Sequence, residues 1–168
     1  MGMPEIVKLG GKTKLELRAL LRQGGVQLNA YAEELFASDL FAVSAAPRAV
    51  RITAVPVESL GFAEGAVMSD ILPKAAELGL VPCPLELGPY LRLQYQDQPE
   101  SGDAQLSGGG RAPDGSVTVV SEPLTSDEAF PKGFYLRRVN GALWLRAYRC
   151  GPDHIWSPQD NLVFAATR

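Results

Sequence analysis

Tyr135, Arg137, Trp144, Arg146 and Tyr148 bring rings and guanidinium groups together in one short stretch, GFYLRRVNGALWLRAYRC, residues 133–150. Aromatic rings stack on planar ligands and bases, and arginine pairs bidentately with phosphate or carboxylate. On one surface, these five residues would hold an anionic ligand, a nucleic acid or a partner protein. Arg92 would join them if its own segment, YLRLQYQ, is a neighbouring strand. The alternative is purely structural. An exposed arginine–ring pair contributes about 0.5–1 kcal/mol, so a solvated sheet face can carry such a ladder for stability alone.

Other residues invite catalytic readings, and most lack the context those readings need. Gly11-Lys12-Thr13 has the ending of a phosphate-binding loop, but the position of the required upstream glycine is Ile6. It reads instead as a polar lead-in to a capped helix. His154 is the single histidine and would have to be the base of any serine–histidine–acid arrangement, with Asp153 or Asp160 as orienter. Its surroundings, GPDHIWSPQD, are turn formers. A small hydrolase or transferase remains open, with a site between Arg92, Arg146 and a carboxylate such as Asp97, and His154 nearby. Cys83 and Cys150 are the only cysteines and neither sits in a paired metal-ligand spacing, so no metal and no cofactor is expected. Both read as buried free thiols.

The elements that must position these groups follow from turn chemistry and periodicity. Asn140-Gly141 tolerates positive φ at both central positions of a type I′ turn, which predicts a β-hairpin. Counting outward pairs Arg137 with Trp144 and Tyr135 with Arg146. Alternation then puts Phe134, Leu136, Leu143, Leu145 and Ala147 on one face and the arginine–aromatic set on the other. Arg138 and Arg149 fall off that set, at its rim. Thr13 and Glu16 form a capping box for a helix ended by Gly24-Gly25, and Asn29 caps a second. AVRITAVPV at 49–57 reads as a strand, residues 65–78 as a helix interrupted by Pro73, YLRLQYQ as a strand after a short turn, and 116–122 and 161–167 as two further strands. The Gly/Ser/Asp-rich segment 101–115 reads as a flexible loop.

Helices gather early and strands late, which predicts an α+β fold: an antiparallel, curved sheet of about five or six strands with one packed helix and an N-terminal two-helix unit. The division expected is a loose tail at 1–11, a helical hairpin at 12–46 hinged at Ala45-Ala46-Pro47, and an α+β core at 47–168. A net charge of −3 removes the long-range attraction of a generic nucleic-acid binder. Yet Lys132, Arg137, Arg138, Arg146 and Arg149 come with no acidic residue between them, so a local basic patch is expected. No run approaches membrane-spanning length and no secretory leader is visible, so a cytoplasmic protein without membrane contact is expected.

The segments ELGLVPCPLELGPYLRLQYQDQP (77–99) and FPKGFYLRRVNGALWLRAYRCGPDHIWSPQDNLVFA (130–165) resemble those of an uncharacterised family of bacterial hypothetical proteins. The resemblance runs from about Lys12 to the C-terminus and is weakest at 101–115. It implies a bacterial, cytoplasmic, stand-alone domain and brings no catalytic residues with it. The leading expectation is therefore a non-catalytic binding or accessory module. The small enzyme is second, and a scaffold or self-association domain third.

Overall fold

In the computed structural model, residues 2–101 and 115–167 are described. The flexible loop expected at 101–115 lies outside them except for its two end residues. In chain order the elements are β1 (Ile6–Leu9), α1 (Lys14–Gln23), β2 (Gln27–Leu28), α2 (Ala30–Ala37) and β3 (Arg48–Pro56). After a single 3₁₀ turn at Val57–Leu60 come β4 (Ala66–Val67), α3 (Met68–Glu77), β5 (Leu80–Val81) and α4 (Leu87–Gln94). The remainder is β6 (Val117–Val119), β7 (Gly133–Val139), β8 (Ala142–Tyr148), β9 (Ile155–Trp156) and β10 (Asn161–Ala166).

The fold is α+β, but its sheet is larger and less regular than the alternation predicts. Eight strands run in the order β1-β3-β10-β6-β7-β8-β2, with β5 also on β10, while β4 and β9 form a separate ribbon. The sheet is mixed, because β10 pairs with β6 and β2 with β8 in parallel. Of the three additional strands in this sheet, β1, β2 and β5, the last two are two residues long, too short for any alternation to show. β10 lies mid-sheet, between β3 on one side and β5 and β6 on the other.

Both faces of the sheet are covered, unequally. Val163 and Ala165 of β10 point into one core with Leu136 and Phe134, sealed by α1, α2 and α4. Leu162 and Phe164 point into a second core with Ile71 and Ala75 of α3 and Trp156 of β9. The two N-terminal helices are thus part of the main body, with Leu17, Leu21, Leu35 and Phe36 in the first core. Thr13 and Glu16 form the expected capping box. Asn29 caps α2 through Ala32 N at 2.9 Å, and the same amide bonds both backbone groups of Ala147 at 3.0 Å, fastening α2 to β8.

Two expectations are corrected. Residues 6–9 are a strand rather than a loose tail, because Val7 and Leu9 bury against the first core while β1 pairs with β3. YLRLQYQ is largely α4, not a strand. Leu87, Tyr90 and Leu91 are buried at helical spacing, and Pro89 falls in the first turn, where its missing N–H has no intrahelical partner to lose.

Candidate functional site

The hairpin forms at Asn140 and Gly141, with φ of 52° and 80°. Its register is the one counted from the turn: Arg137 opposite Trp144, Tyr135 opposite Arg146, Gly133 opposite Tyr148. Glu100 braces the turn, its carboxylate accepting from the amides of Asn140 and Gly141 and lying 3.7 Å from Arg138 Nε. Phe134, Leu136, Leu145 and Ala147 enter the first core. The opposite face carries Tyr135, Arg137, Trp144, Arg146 and Tyr148, next to the layer formed by α3 and β9.

Four of those five residues make a partly exposed cluster. Arg146 Nε donates to Tyr135 Oη at 2.8 Å, and its guanidinium lies 4.9 Å from the centre of the Trp144 ring and 5.9 Å from that of Tyr135. Tyr135 and Tyr148 follow with ring centres 6.4 Å apart. Among the described residues no carboxylate is within ion-pair distance of Arg146.

Arg137 and Arg92 are not part of this surface. Arg137 is 2% exposed, and its Nη2 donates to Ser101 Oγ at 2.9 Å. Arg92 is fully buried and reaches the sheet from α4, which covers the other face. Its Nη1 donates to Gln98 Oε1 at 2.7 Å and to the carbonyls of Trp144 at 3.1 Å and Arg137 at 3.4 Å, and its Nη2 donates to the Tyr95 carbonyl. Burial lowers the Arg92 pKa to about 10, which Tyr95 partly opposes, so it stays charged at neutral pH. Gln98 continues the bracket through its amide to the Leu136 carbonyl at 3.0 Å. Arg92 therefore holds α4 to the hairpin. A composite site of Arg92, Arg146, Asp97 and His154 is not assembled, since Arg92 and Arg146 approach the sheet from opposite sides.

His154 belongs to a different neighbourhood. It packs edge-to-face on Trp156, centres 4.9 Å apart, and Trp156 does the same on Tyr148 at 5.5 Å. These rings border a cleft of about 670 Å³, walled by Met68 and Leu72 of α3, by Pro82 and Val120, and by Tyr148 and Trp156. Lys132, Glu122, Glu128, Cys150 and His154 also line it. Within it, Ser121 Oγ is buried and has no hydrogen-bond partner among the described residues. Gly133 leaves room there: a Cβ at that position would come within 3.0 Å of Ser121 Oγ and 3.5 Å of Tyr148 Oη.

The electrostatics of the cleft favour neutral groups. Burial pushes the Tyr148 phenol well above its ordinary pKa. It also raises the Cys150 thiol, with Lys132 opposing and Glu128 adding to the effect. A thiol so placed is protonated at neutral pH and is a poor nucleophile. Cys83 is buried, with its pKa raised to about 12 by desolvation, whereas Cys150 is only half-buried, and both cysteines are free. Among the described residues no three His, Cys, Asp or Glu side chains cluster as a metal site, and no helix is long and apolar enough to cross a membrane.

Sequence reasoning placed the arginine–aromatic face but missed the cleft. Ser121, the α3 pair Met68 and Leu72, and Trp156 come from three separate segments, and no spacing links the three. Compared with models of protein families, with curated proteins and with solved structures, the chain matches none.

Proposed function

We propose that this chain is a non-catalytic binding module whose ligand is a small organic anion held at Arg146. The observation that carries this reading is the state of that side chain. One nitrogen is fixed by Tyr135, the guanidinium is stacked by Trp144, and no described carboxylate neutralises it. A guanidinium oriented in this way is preorganised for a carboxylate, sulfonate or phosphate.

With Arg137 buried, the face offers, among the described residues, a single accessible guanidinium on a chain of net charge −3. That favours a small anion over a nucleic acid, whose backbone demands several cationic contacts. The protonated Cys150 thiol and the separation of Arg92 from Arg146 favour binding over catalysis.

Titration with naphthalene-2-sulfonate tests the reading. A charge-assisted hydrogen bond contributes about 1.5–3 kcal/mol, so Arg146→Gln should weaken binding about tenfold or more and flatten its salt dependence. An Arg146→Gln protein that binds the sulfonate as tightly as the native chain, with the same salt dependence, would refute it.

A further inference from the structure

We infer that the cleft between α3 and the hairpin holds the planar, apolar body of the ligand, which makes that ligand an aromatic acid. For the acidic end this rests on the Arg146 reading. For the cleft it stands on separate observations.

The first is continuity. Arg146 bonds Tyr135, Tyr135 packs on Tyr148, and Tyr148 is both a wall of the cleft and the neighbour of Trp156. A molecule lying in the cleft along Tyr148 therefore extends toward the guanidinium. The second is size and lining. A space of about 670 Å³ is in the range of small-molecule sites, and Met68, Leu72, Pro82, Val120 and Trp156 give it apolar walls. Methionine adapts to rings of varied outline and makes favourable sulfur–aromatic contacts.

The third is the unpartnered Ser121 hydroxyl. A buried polar group without a partner is disfavoured unless something else supplies the hydrogen bond, and a ligand hydroxyl or carbonyl would supply it. The fourth is charge. Glu122 and Glu128 are exposed on the cleft lining and outnumber its one ammonium, that of Lys132, which also donates to the Asp127 carbonyl at 3.0 Å. A carboxylate or sulfonate is repelled by those acids and directed outward, past Tyr148, to Arg146. The cleft thus selects for shape and apolarity, and the arginine for charge.

The two tryptophans of the chain make the test direct, because Trp144 lies under Arg146 and Trp156 lines the cleft. In ¹⁵N-labelled protein their indole N–H signals report the two halves separately. Neutral 2-naphthol and anionic naphthalene-2-sulfonate are titrated into the native chain and into Leu72→Phe, which narrows the cleft without touching Arg146. Both probes should shift Trp156 saturably, the sulfonate should also shift Trp144, and Leu72→Phe should weaken both about tenfold. Should Leu72→Phe fail to fold, Ser121→Ala replaces it, and the expected result is a loss of affinity for 2-naphthol of about fivefold.

A Trp156 signal that neither probe moves overturns the inference, as does unchanged affinity in the narrowed or hydroxyl-less cleft. The two readings fail separately. Shifts confined to Trp144 leave the Arg146 reading intact and remove the cleft. Equal binding of both probes through Trp156, unaffected by Arg146→Gln, leaves the cleft intact and removes the anion site.

Discussion

Replacing Gly88 with alanine should destabilise the protein, although the same change in an ordinary helix stabilises it. Gly88 is the second residue of α4, and a Cβ there would fall 2.7 Å, 2.8 Å and 2.9 Å from Cδ2, Cβ and Cγ of Phe134. Ordinary carbon contacts begin near 3.5 Å, so helix or ring must retreat by more than half an ångström. The ring has little room to do so. Phe134 is fully buried, with Phe36 and Phe41 at centroid distances of 5.8 Å and 6.0 Å. Overpacking of this kind costs typically 1–3 kcal/mol, and three short contacts against a locked ring place it at the upper end. Against it stands a gain of about 1 kcal/mol from helix propensity.

The net expectation for Gly88→Ala is a loss of about 1–2 kcal/mol, read from the midpoint of urea unfolding at unchanged slope. Truncating the ring should relieve it. Phe134→Leu should cost at least about 1 kcal/mol less in the alanine background than in the native one, a coupling expected of residues in direct contact. A Gly88→Ala protein as stable as the native chain, or a double-mutant cycle that is simply additive, would refute the close approach of α4 to the sheet. It would also undermine the account of Arg92, which spans from that helix to the hairpin carbonyls.

Two further outcomes follow from the environment of the site. Glu100→Ala removes the acceptor of both turn amides, so hydrogen exchange at Asn140 and Gly141 should accelerate and stability fall by about 1 kcal/mol; unchanged protection there would disprove the bracing. Cys83 ionises from its ordinary 9.0 in the unfolded chain but only near 12 when folded, so the folded state keeps its proton longer. The stability it contributes is complete below pH 9 and is lost as pH rises from there toward 12, at up to about 1.4 kcal/mol per pH unit. The pH dependence of urea unfolding above pH 9 should therefore be shallower in Cys83→Ala, and identical slopes would count against it.

What the amino-acid sequence revealed was what local rules decide. Asn140-Gly141 permits the turn whatever surrounds it, and once the turn is set the whole register follows, so the β7–β8 pairing and its two faces were legible. The caps at Thr13 and Asn29 were equally local. The failures share a cause in distant partners. YLRLQYQ alternates well enough for a strand, but Leu87, Tyr90 and Leu91 also fit a helical stripe, and the choice was made by Phe134 and Leu136 on the hairpin it packs against. β1 carries no signal of its own beyond Val7 and Leu9, and it needs β3 to be a strand at all. Arg137 was placed on the correct face, yet it is buried there and bonds Ser101, far away in sequence, which no local rule states. The cleft was invisible because it is the gap left between α3 and the hairpin, a property of how two layers meet rather than of any segment.

The middle of the sheet is supplied by β10, which follows every other strand in chain order yet pairs with β3, β5 and β6 and contributes alternate side chains to both hydrophobic interiors. Until Asn161–Ala166 are in place, β3 and β6 have no common neighbour, and neither interior can close. Loss of that one six-residue strand would split the molecule down its centre rather than fray an end.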